Sequence, residues 1–340
     1  MPNEDAMARK SLHFRQRAAS IACLAIAAGC NPTPPTRLVD PTNPNVVVQP
    51  RFLKAGRYDG TIPIDGLDRT YILRIPPHHD GTTPLPLVFM LHGGFGSAEN
   101  AATHYGWQES ADANGFYAVF PDGLGTIPTW NATHCCGYAL NNGIDDVGFI
   151  RVLVQALGGV VPLDGQRIYA AGMSNGAMLC HRLAAEASDI FAAVAPVAGS
   201  LGGQIDQSAP VVVPPAPTGP VSVIIFHGTE DENVLFDGGP SLSPVAAGRI
   251  DLAVSDAVQF WVAADQAEAT PAVESLAGGD VMKSSYAAGG TVAEVVLYAV
   301  AEQGHAWPGG LQPFPGADPP STAISATETI WQFFASHPKP

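Results

Sequence analysis

The chain has 340 residues, with 16 Lys and Arg against 31 Asp and Glu, a formal net charge of −15 and 46% hydrophobic residues. This length allows one large domain or two small ones, and the hydrophobic content is sufficient for a buried core. The negative charge argues against nucleic acid or anionic lipid head groups as partners. No apolar run reaches the roughly 18–20 residues of a membrane-spanning helix.

The first 29 residues have the pattern of an export signal. Basic side chains between positions 9 and 17 precede an uncharged apolar run at residues 18–28. Cys30 follows small residues in a segment similar to a lipobox, although Ala27 stands where leucine is usual. We expect a lipoprotein signal at residues 1–29 and lipidation of Cys30, and therefore a protein of the cell envelope, periplasmic or extracellular. The alternative is an ordinary signal peptide with an incidental cysteine.

Residues 30–52 are rich in proline and predict an extended tether, followed by one large folded domain at residues 53–338. Removing residues 1–29 takes away four basic and two acidic side chains and leaves 12 against 29, a net charge of −17. A strongly negative protein does not attract an anionic substrate, so a neutral substrate is favoured. The membrane is expected to be a partner only through the lipid anchor, and the sequence leaves the oligomeric state open.

Strand and helix patterns alternate along the rest of the chain. Residues 57–76 indicate a hairpin with alternating apolar and polar positions. Short apolar runs typical of strands buried on both faces follow at residues 86–91, 116–120, 168–171, 193–198, 221–226 and 293–299. Helical spacing occurs at residues 145–157, 175–187, 250–265 and 321–336. The alternation predicts an α/β fold with a mostly parallel central sheet flanked by helices on both faces.

The segment at residues 201–220 is rich in glycine and proline. It lies between two predicted strands, where an inserted helical lid could cover the edge of the sheet. The segment is too short and too broken by proline for such a helix. We therefore expect no large lid domain and an open active site.

Gly172-Met-Ser-Asn-Gly176 lies directly after a predicted buried strand and directly before a predicted helix. The Gly-x-Ser-x-Gly pattern in this context is typical of the nucleophile elbow of α/β-hydrolases. Glycines are needed there because the serine occupies a tight, strained turn. The pattern predicts Ser174 as the catalytic nucleophile, with a serine that only caps a helix as the alternative.

A serine nucleophile needs a histidine base and an acid that orients it, and in this fold they follow in the order Ser, Asp, His. Asp231 and His305 each come just after a predicted strand and complete the predicted triad. Glu230 is the alternative acid, and His227 is expected to be structural.

Other histidines are weaker candidates. His181 lies two turns into the helix after the serine and is expected to point away. His78 and His79 have no third ligand that would complete a metal site. The sequence therefore predicts neither a metal nor a cofactor.

The developing oxyanion of an acyl transfer needs two backbone N–H donors. Asn175, directly after the nucleophile, is expected to supply one. The glycine-rich loop Leu91-His-Gly-Gly-Phe-Gly96 is expected to supply the other from Gly94, with Phe95 as the alternate. Trp307 and Phe95 are predicted to bind substrate, and Trp130 is expected either to line the cleft or to lie in the core.

Three cysteines lie in the body of the chain: Cys135, Cys136 and Cys180. Export would permit a disulfide, and three pairings are possible. The sequence alone does not choose among them.

Several segments in order along residues 57–336 together resemble the polyhydroxybutyrate depolymerase and feruloyl esterase family of extracellular carboxylesterases. They include Tyr117-Ala-Val-Phe-Pro-Asp-Gly-Leu-Gly125, Gly143-Ile-Asp-Asp-Val-Gly-Phe149, His227-Gly-Thr-Glu-Asp231, Gly304-His-Ala-Trp-Pro-Gly-Gly310 and the two glycine motifs above. The resemblance implies the same triad, and it implies that the Cys135-Cys136 pair is a family feature in which one member bridges. The family commonly has Val-Pro-Tyr after the acid, whereas this chain has Val234-Leu235-Phe236, which affects the shape of the nearby pocket.

The leading hypothesis is therefore a secreted serine carboxylesterase that works through an acyl-enzyme on small or polymeric esters, similar to the polyhydroxybutyrate depolymerases. A feruloyl esterase that acts on plant cell-wall esters is the alternative within esterases. A serine peptidase and a non-catalytic surface-binding protein of the same fold are the more distant alternatives. The predicted triad with its oxyanion loop argues against the non-catalytic protein.

Overall fold

The computed structural model describes residues 39–40, 43–47, 52–287 and 293–340. The chain divides into one unit at Met1–Gln49 and a second at Pro50–Pro340. In the first unit, strands β1 (Val39–Asp40) and β2 (Asn43–Val47) pair antiparallel. The predicted signal at residues 1–29 and the predicted lipidation of Cys30 lie outside the described residues, as does most of the predicted tether.

The second unit is built on one large sheet. Among its described residues, ten strands pair in the order β13-β14-β15-β10-β8-β7-β5-β6-β4-β3, and the short strands β9, β11 and β12 form a separate sheet. The strands are β3 Gly56–Ile64, β4 Leu67–Ile75, β5 Leu85–Leu91, β6 Tyr117–Pro121, β7 Leu163–Met173, β8 Ala193–Val197, β9 Gly203–Gln204, β10 Ser222–Gly228, β11 Gly239–Pro240, β12 Ile250–Asp251, β13 Ala272–Leu276, β14 Val281–Tyr286 and β15 Val295–Val300.

The six central strands, β6-β5-β7-β8-β10-β15, are parallel, and antiparallel strands flank them at both edges. Strands β6, β8 and β10 are buried along their whole length, as expected when helices cover both faces of a parallel sheet. The predicted mostly parallel sheet is confirmed. Because the central strands run in one direction, the loops that follow them meet at one edge.

The helices lie on both faces of the sheet. They are α1 Ala98–His104, α2 Trp107–Asn114, α3 Gly137–Asn141, α4 Asp146–Gly158, α5 Asn175–Glu186, α6 Val254–Ala264 and α7 Ala326–Ser336, with 3₁₀ turns at Pro244–Ala246 and Ala277–Gly279. Buried residues of α4, α5 and α6 belong to one hydrophobic cluster, and those of α1, α2 and α7 belong to the cluster on the opposite face.

The four predicted helices correspond to α4, α5, α6 and α7, although α6 and α7 begin several residues later than predicted. Asp145 caps α4, as its position indicates, by accepting the Gly148 N–H at 2.8 Å. The segment at residues 201–220 contains no helix in the described structure, which agrees with the absence of a large lid. Within the residues described, no helix combines the length and the apolar character needed to cross a bilayer.

Candidate active site

Ser174 lies in the sharp turn between β7 and α5. Its φ of 55° and ψ of −119° are an uncommon backbone conformation for a residue with a side chain. A Cβ at Gly172 would collide with the Gly176 backbone, and a Cβ at Gly176 would collide with the Leu91 carbonyl. The two glycines of the motif are therefore required by close backbone packing, and the strained serine is the kind of outlier found at functional sites.

Asp231 and His305 are joined by a hydrogen bond. The distance from His305 Nδ1 to Asp231 Oδ2 is 2.8 Å. The other carboxylate oxygen, Oδ1, accepts the backbone N–H groups of Asn233 at 2.8 Å and Val234 at 2.9 Å. These bonds fix the carboxylate in one orientation, with a single oxygen facing the imidazole.

The Asp231 carboxyl is buried, and burial by itself raises its pKa. The positive charge of His305 and a hydrogen bond from His227 outweigh burial, so the pKa of Asp231 is lowered below its usual range. The group is therefore ionised at neutral pH and can stabilise an imidazolium at His305.

The loops after the central strands are linked in series by backbone hydrogen bonds. The Ser174 N–H donates to Val197 O at 2.9 Å, and the Ala198 N–H donates to Phe226 O at 2.9 Å. The Glu230 N–H then donates to Gln303 O at 3.0 Å. Ser174, Asp231 and His305 thus lie at the same edge of the sheet, following β7, β10 and β15.

The structure does not bring every predicted pair into contact. Among the described residues, Ser174 Oγ makes no hydrogen bond with His305. In enzymes without substrate, catalytic hydrogen bonds are often long and shorten only in the complex. The contact between acid and base is therefore formed here, and the contact between base and nucleophile is not.

The loop that carries His305 is held by residues that the sequence did not identify. Asp318 accepts the His305 N–H at 2.6 Å through Oδ2. The Gln303 side chain donates to Ala306 O at 3.1 Å and accepts the Ser321 N–H at 2.9 Å. No sequence motif marks these contacts.

The predicted oxyanion loop lies directly against the nucleophile. A Cβ placed on Gly93 would be 3.3 Å from Ser174 Cβ. The Gly96 N–H donates to Gly93 O at 3.0 Å, and Phe95 has a φ of 67°, which is the pattern of a type II turn. Within the described structure, neither the Gly94 nor the Phe95 N–H donates to a protein acceptor, so both remain candidates for an oxyanion donor.

The prediction that Trp307 lines the cleft is wrong. Its side chain is 2% exposed, its Nε1 donates to Thr327 Oγ1 at 3.0 Å, and its ring lies 4.7 Å from that of Tyr105. An indole enclosed in this way has no free face for a substrate. Trp130 is fully buried, which agrees with the alternative that placed it in the core. Phe95 is 64% exposed and stays a predicted substrate contact.

The competing candidates have other partners or none. Glu230 is exposed, and the carboxylate that contacts His305 is that of Asp231. His227 Nε2 lies 2.8 Å from Val234 O, which is a structural contact. His181 accepts the Trp261 indole N–H at 2.9 Å, inside the core. Among the described residues, no group of three potential ligands could hold a metal.

The cysteines adopt one of the three possible pairings. Cys135 and Cys136 are joined by a disulfide, and Cys180 is free and buried. Burial raises the pKa of the Cys180 thiol. A buried, protonated thiol is a poor nucleophile, so Cys180 is a core residue.

A parallel sheet with helices on both faces, a serine at a nucleophile elbow and a hydrogen-bonded His–Asp pair define a serine hydrolase of the α/β-hydrolase type. Residues 69–215 match the family described as Esterase PHB depolymerase. A protein named "Putative esterase NocK" from Nocardia uniformis subsp. tsuyamanensis is 32% identical over 314 residues, which cover 85% of this chain and 88% of that protein. The chain belongs to this esterase family and is a carboxylic ester hydrolase.

Two further comparisons cover different parts of the chain. Feruloyl esterase B of Piromyces equi is 31% identical over 183 residues, which is 53% of this chain but only 32% of that protein. The structure of an acetyl xylan esterase from Aspergillus awamori superposes with a TM-score of 0.57 at 14% identity, covering 83% of this chain and 99% of that one. The structural likeness confirms the α/β-hydrolase fold.

Proposed function

We propose that Ser174, His305 and Asp231 are the catalytic triad through which this esterase cleaves its substrate. The observation that carries the proposal is the 2.8 Å hydrogen bond between His305 Nδ1 and Asp231 Oδ2, at the sheet edge where the strained Ser174 turn also lies. The bond holds the imidazole in the tautomer whose Nε2 is free to accept a proton.

The mechanism follows from these positions. His305 takes the Ser174 proton as the hydroxyl attacks the ester carbonyl, and the N–H groups of Asn175 and Gly94 donate to the resulting oxyanion. His305 then protonates the leaving alcohol. Water repeats the sequence on the acyl-enzyme and releases the acid.

Hydrolysis of a short-chain p-nitrophenyl ester by Ser174→Ala tests the assignment. We expect kcat to fall by about 10⁴-fold or more and covalent labelling by a fluorophosphonate to disappear. Ser208→Ala is the matched control, because Ser208 is exposed in the loop after β9, and both activities should stay unchanged. Labelling or hydrolysis that persists in Ser174→Ala would exclude Ser174 as the nucleophile.

We propose hydroxyalkanoate polyesters or their oligomers as the substrate class. The family match supports it, and the net charge of −15 is compatible with an uncharged polyester chain. Feruloyl esters are the second candidate, which the similarity to feruloyl esterase B favours. Comparing kcat/KM for hydroxybutyrate oligomers and for methyl ferulate distinguishes the two, since the preferred ester should be cleaved at least about tenfold faster.

We also propose that the protein is exported and carries a lipid on Cys30. The basic and apolar pattern before Cys30 supports this placement. Metabolic labelling with a fatty acid should mark the wild-type protein and not Cys30→Ser. Export of an unlabelled wild-type protein cut ahead of Cys30 would favour an ordinary signal peptide.

A further inference from the structure

Asn175 has a buried side chain whose two closest hydrogen bonds both go to Trp130, with a longer contact from Nδ2 to Cys135 Sγ at 3.8 Å. Its Oδ1 accepts the Trp130 backbone N–H at 2.7 Å, and its Nδ2 donates to the Trp130 carbonyl at 3.1 Å. The residue is 2% exposed. The amide is the side chain suited to this site, because it combines a donor and an acceptor at one end.

Trp130 also contacts the oxyanion loop. Its indole Nε1 donates to the His92 carbonyl at 2.9 Å. A single fully buried residue therefore hydrogen-bonds with the start of α5 through its backbone and with the loop after β5 through its side chain.

His92 continues the connection. Its Nε2 accepts the Gly123 N–H at 2.9 Å, so the ring proton must be on Nδ1, which donates to the Gly93 carbonyl at 2.7 Å. Burial lowers the pKa of His92, which favours the neutral form that this arrangement needs. The Gly93 carbonyl is the same acceptor that closes the Gly93–Gly96 turn.

The sheet alone does not fix the distance between the two predicted oxyanion donors. Strands β5 and β7 pair up to Leu91 and Gly172, and both donors lie beyond the end of that pairing. Past that point, the hydrogen bonds from Asn175 through Trp130 to His92 and Gly93 connect the two backbone segments. Oxyanion stabilisation depends on donors held in place before reaction.

We propose that the side chains of Asn175, Trp130 and His92 are positioning residues that set the separation of the oxyanion donors at Asn175 and in the Gly93–Gly96 turn. The inference rests on the proposed function, because it takes these two segments as the oxyanion hole. None of the three side chains needs to touch the substrate. Their loss should act on the transition state rather than on substrate binding.

Trp130→Phe tests the proposal, because it keeps the aromatic ring and removes the bond to His92. We expect kcat per active site to fall by about 10- to 100-fold with KM changed less than about threefold. Affinity for a trifluoromethyl ketone, whose adduct carries the oxyanion, should fall in parallel with kcat. Titration with a fluorophosphonate, carried to completion, gives the concentration of active sites. Dividing the rate by this concentration prevents a smaller folded fraction from appearing as a lower kcat.

Trp107→Phe is the matched control. Trp107 is fully buried on the opposite face, and in the described structure its indole nitrogen has no hydrogen-bond partner. This variant shrinks a core tryptophan without removing a bond, so kcat and inhibitor affinity per active site should stay close to wild type. Equal kcat in the Trp130 and Trp107 variants would overturn the proposal.

Asn175→Ala is a second variant, which serves also if Trp130→Phe does not fold. It removes both bonds to Trp130 and the longer contact with Cys135 Sγ, and it keeps the backbone N–H donor. We expect a loss of kcat similar to that of Trp130→Phe. The kcat of the double variant should fall by about the larger of the two single losses and not by their product, because both changes break the same connection. Wild-type kcat in Asn175→Ala would refute the role of this side chain.

The variants also separate this inference from the proposed function. If Ser174→Ala is inactive while both positioning variants have normal kcat, only the present inference fails. Activity in Ser174→Ala refutes the proposed function itself.

Discussion

Asp231→Asn should abolish most of the activity by reversing the tautomer of His305. Asp231 Oδ1 accepts two backbone N–H groups, and Oδ2 faces His305 Nδ1 at 2.8 Å. An asparagine at this position would place its oxygen on the two backbone donors and its NH₂ group toward the imidazole. His305 would then accept at Nδ1 and carry its proton on Nε2, where it could not take the Ser174 proton.

The expected loss is about 10⁴-fold in kcat, which corresponds to about 5 kcal/mol of transition-state stabilisation. KM should change little, because the exchange leaves the shape of the site intact. Hydrolysis of a p-nitrophenyl ester measures both constants. Glu230→Gln removes the neighbouring exposed carboxylate and should keep kcat within about twofold, since surface changes away from special contacts have small effects. A loss below about tenfold in Asp231→Asn, or a large loss in Glu230→Gln, would refute the assignment of the acid.

Three further predictions concern stability, each measured by urea unfolding. Gly172→Ala places a Cβ against the backbone of α5 and should lower the unfolding free energy by about 1–3 kcal/mol or more, whereas Gly165→Ala in the same strand meets open space and should be tolerated. Arg69→Met leaves a fully buried carboxylate unpaired and should cost about 3–5 kcal/mol, whereas Glu99→Gln in an exposed ion pair should cost less than about 1 kcal/mol. Burial and the nearby charge of His227 lower the pKa of His181 to about 3, so unfolding takes up a proton below pH ~6.5 and His181 alone should lower stability toward pH 3 by up to ~1.4 kcal/mol per unit. His181→Asn should make the pH dependence shallower by this amount and leave the share of other groups with lowered pKa values, such as His92 and Asp231.

The sequence predicts those parts of the fold that leave a local pattern. Strands buried on both faces appear as continuous apolar runs, and the elbow, Asp231 and His305 each follow such a run directly. The edge strand β13 was missed because four of its five residues are exposed and it has no apolar alternation. Helix α1 was missed because its buried side chains are three alanines, which give a weak periodic signal.

Contacts between distant residues could not be predicted in this way. Asp318 is 13 residues from His305 and Trp130 is 45 residues from Asn175, and no spacing rule relates either pair. The error over Trp307 has a similar cause. Its position two residues after His305 placed it near the site, but a sequence position does not give the direction of a side chain. The indole turns away from the cleft into the cluster formed with α2 and α7.

The division between buried and exposed residues explains why the reaction class is easier to infer than the substrate. Asp231, Asn175 and Trp130 are held by several hydrogen bonds in the interior, so their replacement costs folding free energy as well as activity. Phe95, in the turn that lies against Ser174, is 64% exposed. Exposed side chains can change with little effect on stability. Substitutions at Phe95 should therefore alter the preference among esters while leaving the unfolding free energy and the labelling of Ser174 unchanged.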